Sequence, residues 1–314
     1  MIVAGAFDLA LAVTVLAVAT WCVSVRATFA AVVAFVAFGL LVAVVWVRLA
    51  AVDVALTEVA IQGGIVGVLL LGATASLRRY KAAVAERSGA TQRLAVAVFC
   101  AVVFLALATA VLTLPDPAPT LAPPVAASLL AFGLGNPVTG VLLGYRAIDT
   151  LLETVVLLLA LIGVWSISPD RSWGGRPLPM HSAGRADALV YFARLLPPVG
   201  VVIGVYIVWV GADAPGGKFQ GGTILAAMWM LVMMAGLRNP PSVARSGLRL
   251  LLVAGPAFFF IVGLAGLAIS GGFLAYPAPY AKPIILLIEL VLTPSVAVTL
   301  GLLVAGPPVR DARQ

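Results

Sequence analysis

Asn136 to Ile167 reads NPVTGVLLGYRAIDTLLETVVLLLALIGVWSI, three charges followed by an apolar run. Asn136–Pro137 has the form of an N-cap followed by proline at the first helical position. On a helix, Arg146, Asp149 and Glu153 fall within about 60° of one another and form one polar stripe. A charge near the bilayer centre costs roughly 2.5–3.5 kcal/mol, so a stripe of three needs a partner or a use. One reading is a membrane-edge ion pair in which Arg146 satisfies Asp149. The other is that Asp149 and Glu153 carry protons or cations along a buried path, with Thr150 beside them.

Working outward, the rest of the chain is equally apolar. It is 63% hydrophobic and 10% charged, with a mean hydropathy of +1.16. That composition excludes a soluble domain and implies an all-α, polytopic membrane protein. About nine transmembrane helices are expected, near 3–23, 29–47, 55–77, 94–113, 146–167, 188–210, 220–237, 248–270 and 284–305. The segment 123–135 is too short to span and should lie in the interface. No basic segment precedes the first run, so it reads as a retained span and not a cleaved signal.

The charge distribution orients the chain. With the N-terminus outside and the C-terminus cytoplasmic, only Arg48, Arg146, Lys218 and Lys282 of the 19 basic residues fall in outer segments. The net charge of +7 is then explained by cytoplasmic loops, not by nucleic acid. Two such loops divide the chain. Arg78–Arg93 is basic, and Ser168–Asp187 is rich in Gly, Pro and Ser and reads as a linker. The linker holds His181, the only histidine, which reads as a solvated residue. Cys22 and Cys100 sit in apolar runs without Cys or His neighbours. No metal-ligand set and no cofactor motif stands in the sequence, so neither is expected.

Other intramembrane acids stand out. In DVALTEVAIQGG (53–64), Glu58 and Gln62 share a face, and Gly63–Gly64 would admit a neighbouring helix. Glu58 serves either a proton path or interhelical hydrogen bonding. Asp53 and Asp8 read as helix-start residues favoured by the dipole. Pro197–Pro198 should kink the sixth span. Pro215, Gly216, Gly217, Phe219, Gln220, Gly221 and Gly222 form a tight turn entering the next helix, without a nucleotide-binding pattern. Glu289 lies inside the last span, and Pro294 frees the carbonyl of Leu290 beside it.

These motifs together resemble accessory membrane subunits of Mrp-type cation/proton antiporters and the related membrane-bound hydrogenases, relatives of the membrane arm of complex I. DVALTEVAIQGG resembles the D-like module. NPVTGVLLGYRAIDTLLETVVLL resembles the E-like module, usually close to NVILVDFRGFDTLGE. ALVYFARLLPPVGVVIGVYIVWVGADAPGGKFQGGTILAA resembles the B-like module with its PGGGFQGG turn. The resemblance implies three modules, 1–93, 94–180 and 181–314, with three, two and four helices. Ala147, Ile148 and Leu152 stand where Gly, Phe and Gly are usual. Lys218 replaces a glycine of the turn, and Ala212 stands where histidine is common.

The resemblance implies a function. The chain would be a non-enzymatic subunit of a multisubunit antiporter or antiporter-like energy-converting complex in a prokaryotic plasma membrane. Its partners would be large pump-type subunits, with Na⁺ or another monovalent cation and H⁺ as the transported ions. Glu58, Asp149, Glu153 and Glu289 would line the ion or proton route, supported by Arg146, Gln62 and Thr150. Asp149 is expected to stay paired with Arg146 while the deeper Glu153 exchanges protons. Lys81, Lys218 and Lys282 all read as loop residues, so the basic members of the path are expected from partners. A pure scaffold and a stand-alone small-solute transporter are the alternatives; the absence of an inverted repeat speaks against the latter. The charge bias predicts that cysteines placed at Ser88 and Ser172 resist an impermeant reagent applied from outside. Ready labelling there would reverse the topology.

Overall fold

A computed structural model describes residues 2–79, 89–117, 119–180 and 187–309. Eight of its helices are long and apolar enough to cross a membrane, and the remaining expected span is the 17-residue helix Lys218–Met234. Seventeen residues is about the lower limit for a span. The expectation of a polytopic all-α membrane protein is met.

The first three spans form one group. Helices α1 (Ile2–Ser24) and α2 (Thr28–Arg48) are joined by a short turn and run antiparallel. Their open end is closed by Asp8, which accepts from Arg48 at 2.7 and 3.0 Å. Asp8 is thus an ion-pair partner rather than only a helix-start residue. The third span is one rod in three parts: α3 (Val52–Glu58), a π-helical stretch (Val59–Val66) and α4 (Gly67–Arg79). Within it, Gln62 donates to the carbonyl of Phe35 on α2 at 3.3 Å. The small residues at this crossing are Gly39 and Gly67: a Cβ there would lie 2.7 Å from Gln62 and 2.9 Å from Val36. Gly64, expected at the crossing, would meet only the carbonyl of Val59 in its own rod.

Helix α5 (Ala90–Leu112) buries none of its residues against the rest of the chain. The next segment makes the short α6 (Ala122–Leu129), as its length required. Asn136 then caps the one-turn α7 (Pro137–Thr139), its Oδ1 accepting from Val138 N at 2.9 Å. A π-helical stretch (Gly140–Tyr145) follows and breaks at Arg146, whose φ of −125° and ψ of 38° are not helical. Helix α8 (Ala147–Ser166) starts afresh. Thr150 ties the two pieces by donating to Leu142 O at 2.6 Å.

The last four helices are α9 (Asp187–Val210), α10 (Lys218–Met234), α11 (Ser246–Ser270) and α12 (Ala281–Ala305). Helix α12 is the axis of the bundle. Its span is 61% buried, against 28% at most for the other seven long spans. It packs against α10 on one side and α11 on another, and α11 also meets α8. Pro197–Pro198 and Pro294 sit inside continuous helices.

At one end a small lock joins distant segments. Strand β1 (Arg176–Pro177) pairs antiparallel with β2 (Pro308–Val309). Ser168 donates to Pro308 O at 2.6 Å, Val243 N to Gly175 O at 2.9 Å, and Ser242 to Gly174 O at 2.6 Å. The described part of 168–187 is therefore tied down and is not a free linker. His181 and Arg185, like Lys81, Arg87 and Ser88 of the first basic loop, lie outside the described residues. Ser172 is buried at 7%, so it cannot report topology. Asn239, exposed in the loop at the same end, can. In a chain freed of Cys22 and Cys100, a cysteine at Asn239 should label only after the membrane is permeabilised.

Candidate functional site

At the other end, where α3, α7, α10 and α12 begin, one buried acid gathers three parts of the chain. Asp53, on α3, is 7% exposed. Its Oδ1 accepts from Gly216 N at 2.9 Å and from Asn136 Nδ2 at 3.3 Å. The same Asn136 amide donates to Gly211 O (3.2 Å) and Ala214 O (3.0 Å), and Thr139 Oγ1 also donates to Gly211 O at 2.6 Å. Gln220 Nε2 reaches back to Thr57 Oγ1 at 3.1 Å. A buried carboxylate is tolerated when its lone pairs are filled, and here a backbone amide and a side-chain amide fill them. The turn 215–217 is shaped by this bonding. Gly217 has φ +135°, and a Cβ there would lie 2.9 Å from Glu289 Oε1.

Beneath this latch lies a cavity of about 280 Å³. Its walls come from α3 (Asp53, Val54, Thr57), from 138–143 and Glu153, from the turn and α10 (Gly216 to Gln220), and from Glu289 on α12. Lys218 is in it. The residue opens α10, is only 4% exposed, and its ammonium sits 4.4 Å from the centroid of the Phe219 ring. Its backbone N–H donates to Glu289 Oε1 at 3.4 Å. Glu289 is 5% exposed, and its Oε2 has no hydrogen-bond partner among the described residues. Thr293 Oγ1 donates to the Glu289 carbonyl at 2.7 Å, holding the backbone just before Pro294. Glu153 stands at the exposed rim. Lys218, Glu153 and Glu289 thus line one space. The reading of Lys218 as a loop residue is corrected here. The glycines before it fold the chain so tightly that the lysine begins a helix inside the bundle.

The other candidates lie apart. Glu58 and Gln62 line a second cavity of about 310 Å³ with Phe35, Ile61 and Val66. Val54 and Thr57 are common to both cavities, so they form the wall between them. Asp149 is exposed on α8, and Arg146 pairs with it across the helix break. Thr150 is buried behind them. Gly221 and Gly222 are buried where α10 meets its neighbours: a Cβ on Gly221 would clash with Val208 of α9, and one on Gly222 with Val296 of α12. Pro215 is exposed at the tip.

Two regions of the chain match known families, and they are the two that Asp53 ties together. Residues 188–307 match a domain related to the MnhB subunit of Na⁺/H⁺ antiporter, and residues 13–79 match MbhD, the D component of MBH. An MbhD-like stretch thus precedes an MnhB-like one in this chain. Residues 80–187, including the Arg146–Glu153 stripe, lie outside both matches. An uncharacterised protein of Methanocaldococcus jannaschii is 28% identical over 169 residues, which is 46% of this chain and 64% of that protein. The fold is similar to a chain of the Mrp complex from Dietzia sp. DQ12-45-1b, with TM-score 0.70 and 24% identity over 97% of this chain and 35% of that one. It is also similar to a chain of the archaeal membrane-bound sulfane sulfur reductase, with TM-score 0.54 and 24% identity over 68% of this chain and 97% of that one. The chain thus spans less than two thirds of its curated relative and about a third of the Dietzia chain.

Asp53 binds the MbhD-like stretch to the turn of the MnhB-like one. Asp53→Ala leaves the buried Gly216 N without its acceptor, at roughly 1–3 kcal/mol, and cuts the Asn136 amide from α3. The detergent-solubilised protein should melt several degrees lower, while Asp149→Ala, at the exposed surface, shifts it little. Equal melting of the two variants would show that the latch does not hold the modules together.

Proposed function

We propose that this chain is a membrane subunit of a multisubunit Mrp-type cation/proton antiporter or a related energy-converting complex of the prokaryotic plasma membrane. In this reading its three parts are the D-like, E-like and B-like modules at 1–93, 94–180 and 181–314, with the N-terminus outside. Larger pump-type subunits are its partners, and Na⁺ or another monovalent cation and H⁺ are the ions moved. The observation that supports it is the shared cavity. Acids from α8 and α12 and a lysine from α10 meet in one space whose remaining walls come from α3 and 138–143. An assembly that only glued helices together would not need Glu289 Oε2 left buried without a hydrogen bond, which is costly for a carboxylate.

The proposed route enters at Glu153 on the rim, passes Lys218 to Glu289, and continues through the Gln220–Thr57 bond toward Glu58 in the neighbouring cavity. Asp149 and Arg146 lie outside both cavities; a neighbouring subunit would take up the path from them. The scaffold reading remains the alternative. It is favoured by the exposed Arg146–Asp149 pair, which has the geometry of a surface contact.

Glu153→Gln keeps the shape and hydrogen-bonding capacity of the side chain and removes its titration. The complex should assemble at normal abundance on native gels and lose most cation-driven proton flux in everted vesicles. Full flux from a fully assembled Glu153→Gln complex would leave the scaffold reading in place.

A further inference from the structure

Among the described residues, Lys218 is the one cationic side chain that lines the cavity. Its place there is expensive. Burying an ammonium costs several kcal/mol after relaxation, and the first residue of α10 sits at the positive end of that helix, which disfavours a cation. The carboxylates of the cavity and the face of the Phe219 ring offset that cost. The charged groups around the cavity are Glu153 from α8, Glu289 from α12 and Asp53 from α3, with Lys218 itself from α10. Asp53 is engaged by Gly216 and Asn136. Glu153 and Glu289 are the other two acids that share the cavity with the ammonium.

Without that ammonium, the same space has the makings of a monovalent cation site. Hard cations take oxygen ligands at short range, and this cavity offers the carboxylates of Glu153 and Glu289 and the hydroxyls of Thr57 and Thr139. Glu289 Oε2 already points into the bundle without a hydrogen-bond partner among the described residues. The backbone at the root of the lysine is pinned, and the ring of Phe219 lies beside its head. Gly217 is pressed against Glu289, the Lys218 N–H bonds the same acid, and the ammonium lies over the Phe219 ring.

We propose that Lys218 is a tethered cation that occupies the Glu153–Glu289 cavity and keeps free monovalent metal ions out, so that this cavity passes protons only. The proposal rests on the reading of the cavity as part of an ion route, and it assigns the metal ion, if one is moved, to a path elsewhere in the complex. A second positive charge a few ångströms from the ammonium is disfavoured by roughly a thousandfold at the effective dielectric of a protein.

The test measures binding, so it does not depend on transport. The complex is purified with its partners in Na⁺-free buffer containing a bulky organic cation. Its melting midpoint is then followed against NaCl, with the organic-cation chloride as the ionic-strength control. The wild type should show no Na⁺-specific shift that depends on Glu289. Lys218→Met keeps the length and apolar stem without the charge, and it should acquire a saturable Na⁺-specific rise, with apparent affinity about a hundredfold or more above the wild type. Adding Glu289→Gln should abolish that rise. Lys218→Gln, which keeps a polar head, provides the same reading if the Met variant does not assemble. The proposal is overturned if the wild type already binds Na⁺ through Glu289. It is equally overturned if neither neutral variant gains binding, whatever the flux of the Glu153→Gln complex.

Discussion

The structure depends on a buried carboxylate that is fully spoken for. Asp53 sits at the start of α3, where the dipole favours a negative charge, but its burial and its bonds give it a larger task. It fixes the backbone of the 215–217 turn through Gly216 and the start of α7 through Asn136. Because Asn136 also grips Gly211 and Ala214, the three regions cannot separate without stranding several buried polar groups at once. In a membrane no water is at hand to replace those bonds. The fold of a chain with long, sparsely packed helices is therefore set by a small polar knot as much as by apolar packing.

That knot also explains the cavity under it. The turn is held up against Asp53, so α10 begins below it with Lys218 inside the bundle instead of in solvent. Arg146 breaks the helix on the opposite wall, and this resets the register of α8 so that Glu153 reaches the rim while Asp149 remains with Arg146 outside. Two acids four residues apart are thereby given different surroundings: one lies at a mouth shared with Lys218, the other at the surface with an arginine.

Much of this is legible in the sequence. Apolar runs of about twenty residues mark the spans because length and composition alone decide them. Asn136–Pro137 announces its cap because the capping side chain is local. The motifs at 53–64 and 211–222 stand in the two stretches that match MbhD and a domain related to MnhB. What is not legible is everything set by tertiary approach. Asp53 has the sequence context of an ordinary helix-start acid because its partners lie 83 and 163 residues away. Lys218 has the context of a loop lysine because glycines and a proline surround it in sequence, whereas its burial follows from where the turn is anchored. The helix crossing is tightest at Gly39 and Gly67, and of the conspicuous Gly63–Gly64 pair only Gly63 faces α2, against Leu40. The strongest sequence signal for the cavity is the lysine standing where the resembled turn has a glycine. That exchange cannot be neutral if the position faces an acid.

The exposed surface completes the physical argument. Only α12 is mostly buried, while α5 buries nothing of itself. For apolar side chains that is no difficulty, since lipid covers them as well as protein does. Glu153 is different. It lies two turns into α8, on a helix that spans, with its carboxylate at an open rim. Lipid against that rim would desolvate the acid and give it only Lys218 in return, and a charged side chain facing hydrocarbon is among the costliest arrangements a membrane protein can hold. Either water enters the cavity from the end where α10 begins, or another polypeptide closes the rim with polar groups of its own. Water at that end would reach the entrance of the proposed route, whose far end lies at Glu58 behind the Val54–Thr57 wall, but it would not cover the lipid-facing side of α8. A neighbouring polypeptide over α8 would, so the same carboxylate that would serve transport also calls for a partner.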